Sequence, residues 1–160
     1  MKPGKLISLL CTAVLMTGVC TSLPASAADA PEPPAYSAET DSTKATGLIS
    51  GGTLSMSTGT KKVYISATTL GTKQLGKVGF TDILVQRSTN GVNSWVTEVN
   101  VPDQIITDSW GHKLSSFAVD VTGGYYYRVV LMHYAKESGW FFPGTQKVEN
   151  QSNVHWVVKT

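Results

Sequence analysis

The chain has 160 residues, 41% of them hydrophobic, with 13 Lys and Arg against 11 Asp and Glu and only two cysteines. So small a basic excess leaves no charged stripe to track phosphates, which sets nucleic acid aside as a partner. Both cysteines, Cys11 and Cys20, lie near the start, so no disulfide scaffold, zinc–thiolate site or thiol enzyme is expected in the body of the chain.

Residues 1–27 read as an export signal. Lys2 and Lys5 give a basic start, an apolar run extends from Leu6 to Met16, and Leu23-Pro-Ala-Ser-Ala27 ends in the small residues that a signal peptidase reads. The run is shorter than the roughly 20 residues that span a bilayer, and Pro24 breaks the stretch beyond it, so a membrane anchor fits less well. Thr17 and Val19 before Cys20 suit a lipoprotein site poorly. Cleavage after Ala27 leaves 160 − 27 = 133 residues with 13 − 2 = 11 basic and 11 acidic groups, hence no net charge and no cysteine. The expected product is a secreted, extracellular, bacterial protein held together by an ordinary core, with no membrane contact after signal cleavage.

Residues 28–46 read as a disordered Pro-rich linker. Ala30-Pro-Glu-Pro-Pro-Ala35 can neither pair in a sheet nor continue a helix, and the polar residues after it bury too little to offset their ordering entropy. From 47 to 160 the pattern is strand and turn. Leu54 and Met56, then Val63, Ile65 and Ala67, alternate with polar residues. Phe80, Ile83, Leu84 and Val85 continue the pattern across a parity switch near Thr81-Asp82, which suggests a bulge or a strand buried on both faces. Asn90-Gly91 predicts a hairpin turn, because both residues tolerate positive φ. A strand from Trp95 to Val101 returns and Pro102 closes it. Phe117, Val119 and Val121 lead to the Gly123-Gly124 turn and to the longest expected strand, 125–135. There Tyr125, Tyr127, Val129, Leu131 and His133 share one face. A last strand over 153–159 puts Val154, Trp156 and Val158 on one side. About seven strands and no helical period predict an all-β domain, a single antiparallel β-sandwich.

Two segments carry a resemblance. The hairpin Leu84-Val-Gln-Arg-Ser-Thr-Asn-Gly-Val-Asn-Ser-Trp95 resembles the third-strand hairpin of fibronectin type III-like and immunoglobulin-like domains. Val119-Asp-Val-Thr-Gly-Gly-Tyr-Tyr-Tyr-Arg-Val129 resembles their tyrosine corner, with Thr122-Gly-Gly124 where a proline often stands. The chain from about Ala45 to Lys159 is also similar to small exported proteins of uncharacterised function from Gram-positive bacteria. The resemblance implies an immunoglobulin/fibronectin type III-like sandwich and no assigned activity. Trp95, Tyr125, Tyr127 and Trp156 are expected to be structural, with a tyrosine hydroxyl bonded to a nearby carbonyl. Arg128 is expected to lie over neighbouring rings or pair with Glu98.

No catalytic constellation emerges. His112, His133 and His155 lack metal-pair spacing, no Gly-x-Ser-x-Gly elbow is present, and the carboxylates offer no preferred pair. The segment 103–108 reads as a solvated loop and not as a calcium site. No metal, no cofactor and no enzyme activity are expected. Binding is the better reading. Ser109-Trp-Gly-His112 and Gly139-Trp-Phe-Phe-Pro-Gly144 place Trp110, His112, Trp140, Phe141 and Phe142 on loops as a candidate binding surface for carbohydrate or a protein partner. Burying a large apolar ring stabilises by about 1.5–3 kcal/mol, which favours at least one of Trp140, Phe141 and Phe142 folding back to plug the core. The alternative function is a structural or accessory exported domain without a small-molecule site.

Overall fold

The structure, a computed structural model, describes residues 47–159. The export signal expected over 1–27 and the linker expected over 28–46 lie outside the described residues, as does Thr160. The strands in chain order are β1 (Ile49–Gly59), β2 (Lys62–Ser88), β3 (Val96–Val101), β4 (Gln104–Asp120), β5 (Tyr125–Lys136), β6 (Thr145–Gln151) and β7 (His155–Val157), with no helix among the described residues. Every pairing is antiparallel and all seven strands belong to one hydrogen-bonded sheet. The all-β expectation therefore holds, as a single seven-stranded antiparallel sheet.

The 27-residue β2 is its spine. Residues 62–71 of β2 have β1 on one side and β4 on the other; farther along, β5 takes the place of β1, and β3 extends the line of β4. The sheet curls so that β1 comes back over β5, β6 and β7. A Cβ on Gly52 would sit 2.8 Å from the His133 ring, Thr58 Oγ1 donates to the Trp156 carbonyl at 3.4 Å, and the Leu48 and Ile49 amides donate to Gln146 Oε1 at 2.6 and 3.0 Å. Inside the curl lies one main core of Leu54, Met56, Val63, Ile65, Phe80, Ile83, Val85, Leu114, Tyr127, Val129 and Leu131. The alternating pattern of β1, β2 and β5, with Leu114 from β4, puts these side chains on the concave face, and the hydrophobic effect closes the sheet around them.

The bulge stands where the parity switches. Asp82 has φ 53° and the β2–β5 register shifts between Thr81 and Leu84. Opposite, Pro102-Asp103 interrupts the line from β3 to β4, and Asp103 Oδ1 accepts from the Asp82 amide at 3.3 Å. The Asn90-Gly91 turn also forms, with Gly91 at φ 70° and Asn90 Oδ1 accepting from the amides of Val92 and Asn93.

Several boundaries differ from expectation. β2, not the strand beginning at Tyr125, is the longest, because its two apolar runs join through a bowed segment at 71–74. β4 reaches back to Gln104, so the expected loop at 103–108 is largely strand. Before Phe117 its alternation is hidden by polar residues and by kinks at Asp108 and Ser116, with φ 50° and 48°. β6 is invisible in the sequence because its inward residues include Gln146 and Asn150, which are held by hydrogen bonds rather than by grease. The final strand shrinks to three residues, and Val157 faces the core while Val158 stands outside.

Candidate functional site

The bowed segment 71–74 organises one end of the molecule. Between the pairs Leu70–Gly111 and Leu75–Ser109, β2 carries four residues that do not pair with β4, against the single Trp110. Several contacts tie the bow down: the Thr72 amide donates to the Leu48 carbonyl at 2.9 Å, Thr72 Oγ1 donates to the Gly47 carbonyl at 3.0 Å, Gln74 Nε2 donates to the Asp108 carbonyl at 3.0 Å, and Lys73 pairs with Glu137. The start of β1, the middle of β4 and the loop between β5 and β6 therefore meet there.

Ser109-Trp-Gly-His112 lies within β4 and not on a loop, which corrects the placement expected from its turn-forming residues. The backbone explains the glycine: a Cβ at Gly111 would approach the Thr69 carbonyl oxygen to 2.6 Å. Ser109 Oγ donates to the Gly111 carbonyl at 2.9 Å and so brackets Trp110, whose side chain is 63% exposed. Trp110 and His112 join Thr68, Leu70 and Lys113 around a shallow concavity of about 390 Å³. His112 packs its ring 5.5 Å from that of Phe80, and burial pushes its pKa down. The concavity thus offers an indole and an exposed leucine between Thr68 and Lys113, while the His112 ring beside it leans on Phe80 of the core. An apolar face rimmed by polar groups is the arrangement by which aromatic sites hold sugars or polar side chains.

The second aromatic stretch occupies the loop 137–144. Lys136 and Thr145 are the last paired residues, and the Glu137 amide donates to the Gly144 carbonyl at 2.9 Å. The Gly144 amide returns a bond of 2.9 Å to Glu137 Oε2. The hydrogen bond from Lys73 above all, and then that from Gly144, hold the Glu137 carboxyl below its ordinary range. Beyond this closed neck Trp140, Phe141 and Phe142 are 99%, 88% and 98% exposed. None plugs the core, contrary to the expectation from burial energy. The reason is occupancy: Ile49, Leu75, Val78 and Ala135, with Leu48 and Val148 against them, already fill that end.

The four expected structural aromatics hold the opposite part of the sheet. The Tyr127 hydroxyl lies 2.5 Å from the Thr122 carbonyl and 2.7 Å from Glu98 Oε2, so one phenolic proton faces two acceptors. Burial and the Glu98 carboxylate push the Tyr127 pKa up. Burial opposes ionisation of Glu98, but bonds from Tyr127 and Thr122 and the Arg87 charge outweigh it and leave its pKa lowered. Arg87 pairs with Glu98 at 3.4 Å and lies 4.5 Å above the Tyr125 ring. Arg128 lies 4.4 Å above Trp95, as expected of it, and leaves Glu98 to Arg87. Trp156 meets Tyr126 edge to face at 4.9 Å. A lesser concavity of about 280 Å³ opens beside Arg87, Ser94 and Tyr125.

His133 is fully buried, with Nδ1 2.8 Å from Thr69 Oγ1, and burial lowers its pKa to about 4. Among the described residues no three His, Asp or Glu side chains gather into a metal-binding group. The structure therefore brings Trp110 and His112 together with Leu70, Thr68 and Lys113; Thr68 and Leu70 come from another strand, and no sequence spacing marks them as neighbours. It places the Trp140 group on a separate tip at the same end. No family model matches the chain, and no curated protein or solved structure matches it significantly.

Proposed function

We propose that this chain is a secreted, non-catalytic recognition module built on an immunoglobulin- or fibronectin type III-like sandwich, and that it contacts cell-surface carbohydrate or a protein partner through its aromatic end. One observation carries the reading: Trp110, 63% exposed, stands over a concavity whose other walls are polar as well as apolar. The sandwich assignment is supported by the two halves of the curled sheet sharing one core, and by the bond of Tyr127 back to Thr122, which is the geometry of a tyrosine corner. A non-catalytic role is supported by the two groups with the largest titration shifts: Tyr127 and His133 both serve internal hydrogen bonds. Export is supported by the composition of residues 1–27.

The test is retention on cell-wall polysaccharide and on immobilised surface proteins. Trp110→Ala should weaken retention by about tenfold or more, as loss of an aromatic anchor does, while leaving the melting temperature unchanged. Unaltered retention, or no retention by the parent protein, favours the structural accessory domain instead.

A further inference from the structure

We propose that the tip of the β5–β6 hairpin is a membrane-surface anchor: Trp140, Phe141 and Phe142 enter the interface of an anionic phospholipid bilayer, and Lys77 and Lys136 face its headgroups. The inference rests on the aromatic end being the contact surface, and it assigns that end two distinct tasks.

Three consecutive large apolar side chains, all at least 88% exposed, form a contiguous patch of the kind that marks an interaction site. Their setting separates them from the Trp110 concavity. The tip is convex, stands beyond a hydrogen-bonded neck, and carries no charged residue between Ser138 and Gln146. A sugar stacked on Trp140 would find no charged side chain and few hydroxyl or amide groups beside it, whereas the Trp110 site has Thr68, His112 and Lys113 in its walls. Convex apolar tips suit a deformable medium, and tryptophan favours the headgroup boundary, where its ring is apolar and its N–H stays hydrated.

The lysines choose among apolar partners. Lys77 and Lys136 are directly opposite on neighbouring strands, one residue behind the loop, and neither makes an ion pair among the described residues. Like charges in that register repel, and an anionic surface offsets the repulsion. Glu137, the acidic residue at the neck, is already neutralised by Lys73. An apolar tip backed by uncompensated lysines is the two-part arrangement of interfacial anchors, in which neither part holds alone. Such a shallow contact departs from the sequence-based expectation of no membrane contact after signal cleavage.

The test is partition of the protein, as processed by an exporting host, into vesicles of phosphatidylcholine with and without phosphatidylglycerol. The parent protein should bind the anionic vesicles with a blue shift of tryptophan emission. The double variant Trp140→Ser, Phe141→Ser should lose about tenfold or more of that partition at unchanged melting temperature, since both residues lie outside the core. Lys77→Gln with Lys136→Gln should lose about tenfold on anionic vesicles and nothing on neutral ones. Trp140→Phe should keep the binding and lose the blue shift. Absence of partition by the parent, or partition indifferent to the tip variant, overturns the proposal. If the tip variant instead loses retention on immobilised surface protein while vesicles are ignored, the tip fits a protein groove and the membrane assignment falls. Trp110-dependent retention on polysaccharide without any vesicle binding overturns the anchor and leaves the recognition reading standing. Loss of both removes the two together.

Discussion

His133 shows how one buried side chain links sequence, packing and pH. It is fully buried beside Thr69, with Phe80 edge-on at 5.6 Å, and its folded pKa is about 4. The unfolded chain binds a proton there near pH 6.5, so between 6.5 and about 4 the unfolded state holds more protons than the folded one. Stability from this residue is therefore complete above pH 6.5 and falls as the pH drops toward 4, by up to about 3 kcal/mol. His112 and His155, both lowered by burial, act in the same direction. Urea unfolding at pH 7 and at pH 5 should give a lower midpoint at pH 5, and His133→Gln should flatten most of that difference. Equal midpoints in the parent protein would contradict the buried, neutral imidazole. The expectation that the histidines are structural and not ligands rested only on spacing, and the partner, Thr69, belongs to a strand 64 residues away.

The elements divide by how their inward residues are made. β1, β2 and β5 were legible because their core side chains are Leu, Met, Val, Ile and Tyr at period two. β4 was legible only at its end, where Phe117 and Val119 alternate against the core, and β6 was not legible at all. The earlier part of β4 is held mainly by its long pairing with β2, and β6 turns Gln146 and Asn150 inward, so neither shows the alternation that sequence reading depends on. Close backbone approach was equally invisible. A Cβ at Gly79 would stand 2.0 Å from the Gln104 carbonyl oxygen, at the crossing of β2 and β4, whereas one at Gly51 would meet nothing within 4 Å. Gly79→Ala should therefore destabilise by about 1–3 kcal/mol through forced displacement, and Gly51→Ala should be neutral or stabilising by up to about 1 kcal/mol. Chemical denaturation of the two variants decides it. Similar effects at both positions would mean that β4 does not lie so close to β2.

At the scale of the whole molecule, one sheet curls around one core and leaves its aromatics sorted between two ends. Trp95, Tyr125, Tyr127 and Trp156 are covered by Arg128, Arg87, Glu98 and Tyr126, and they fasten the turn-proximal end. Trp110, Trp140, Phe141 and Phe142 stay in solvent at the other, where the bow of β2 gathers β4 and the β5–β6 loop. The residues of this surface could be named from sequence, since large aromatics beside glycine and proline stand out. Their direction could not, because burial energy alone argues for a plug and only the filled cluster of Ile49, Leu75, Val78 and Ala135 prevents it. The aromatic end is thus open. Acrylamide quenching of tryptophan emission tests it most directly, with the parent protein set against Trp110→Phe and Trp140→Phe. Ready quenching is expected in the parent, with a clear drop in the quenchable emission when both residues are replaced, leaving the half-buried Trp95 and Trp156. Emission that resists acrylamide in the parent, or that keeps its quenchable part after both replacements, would contradict it.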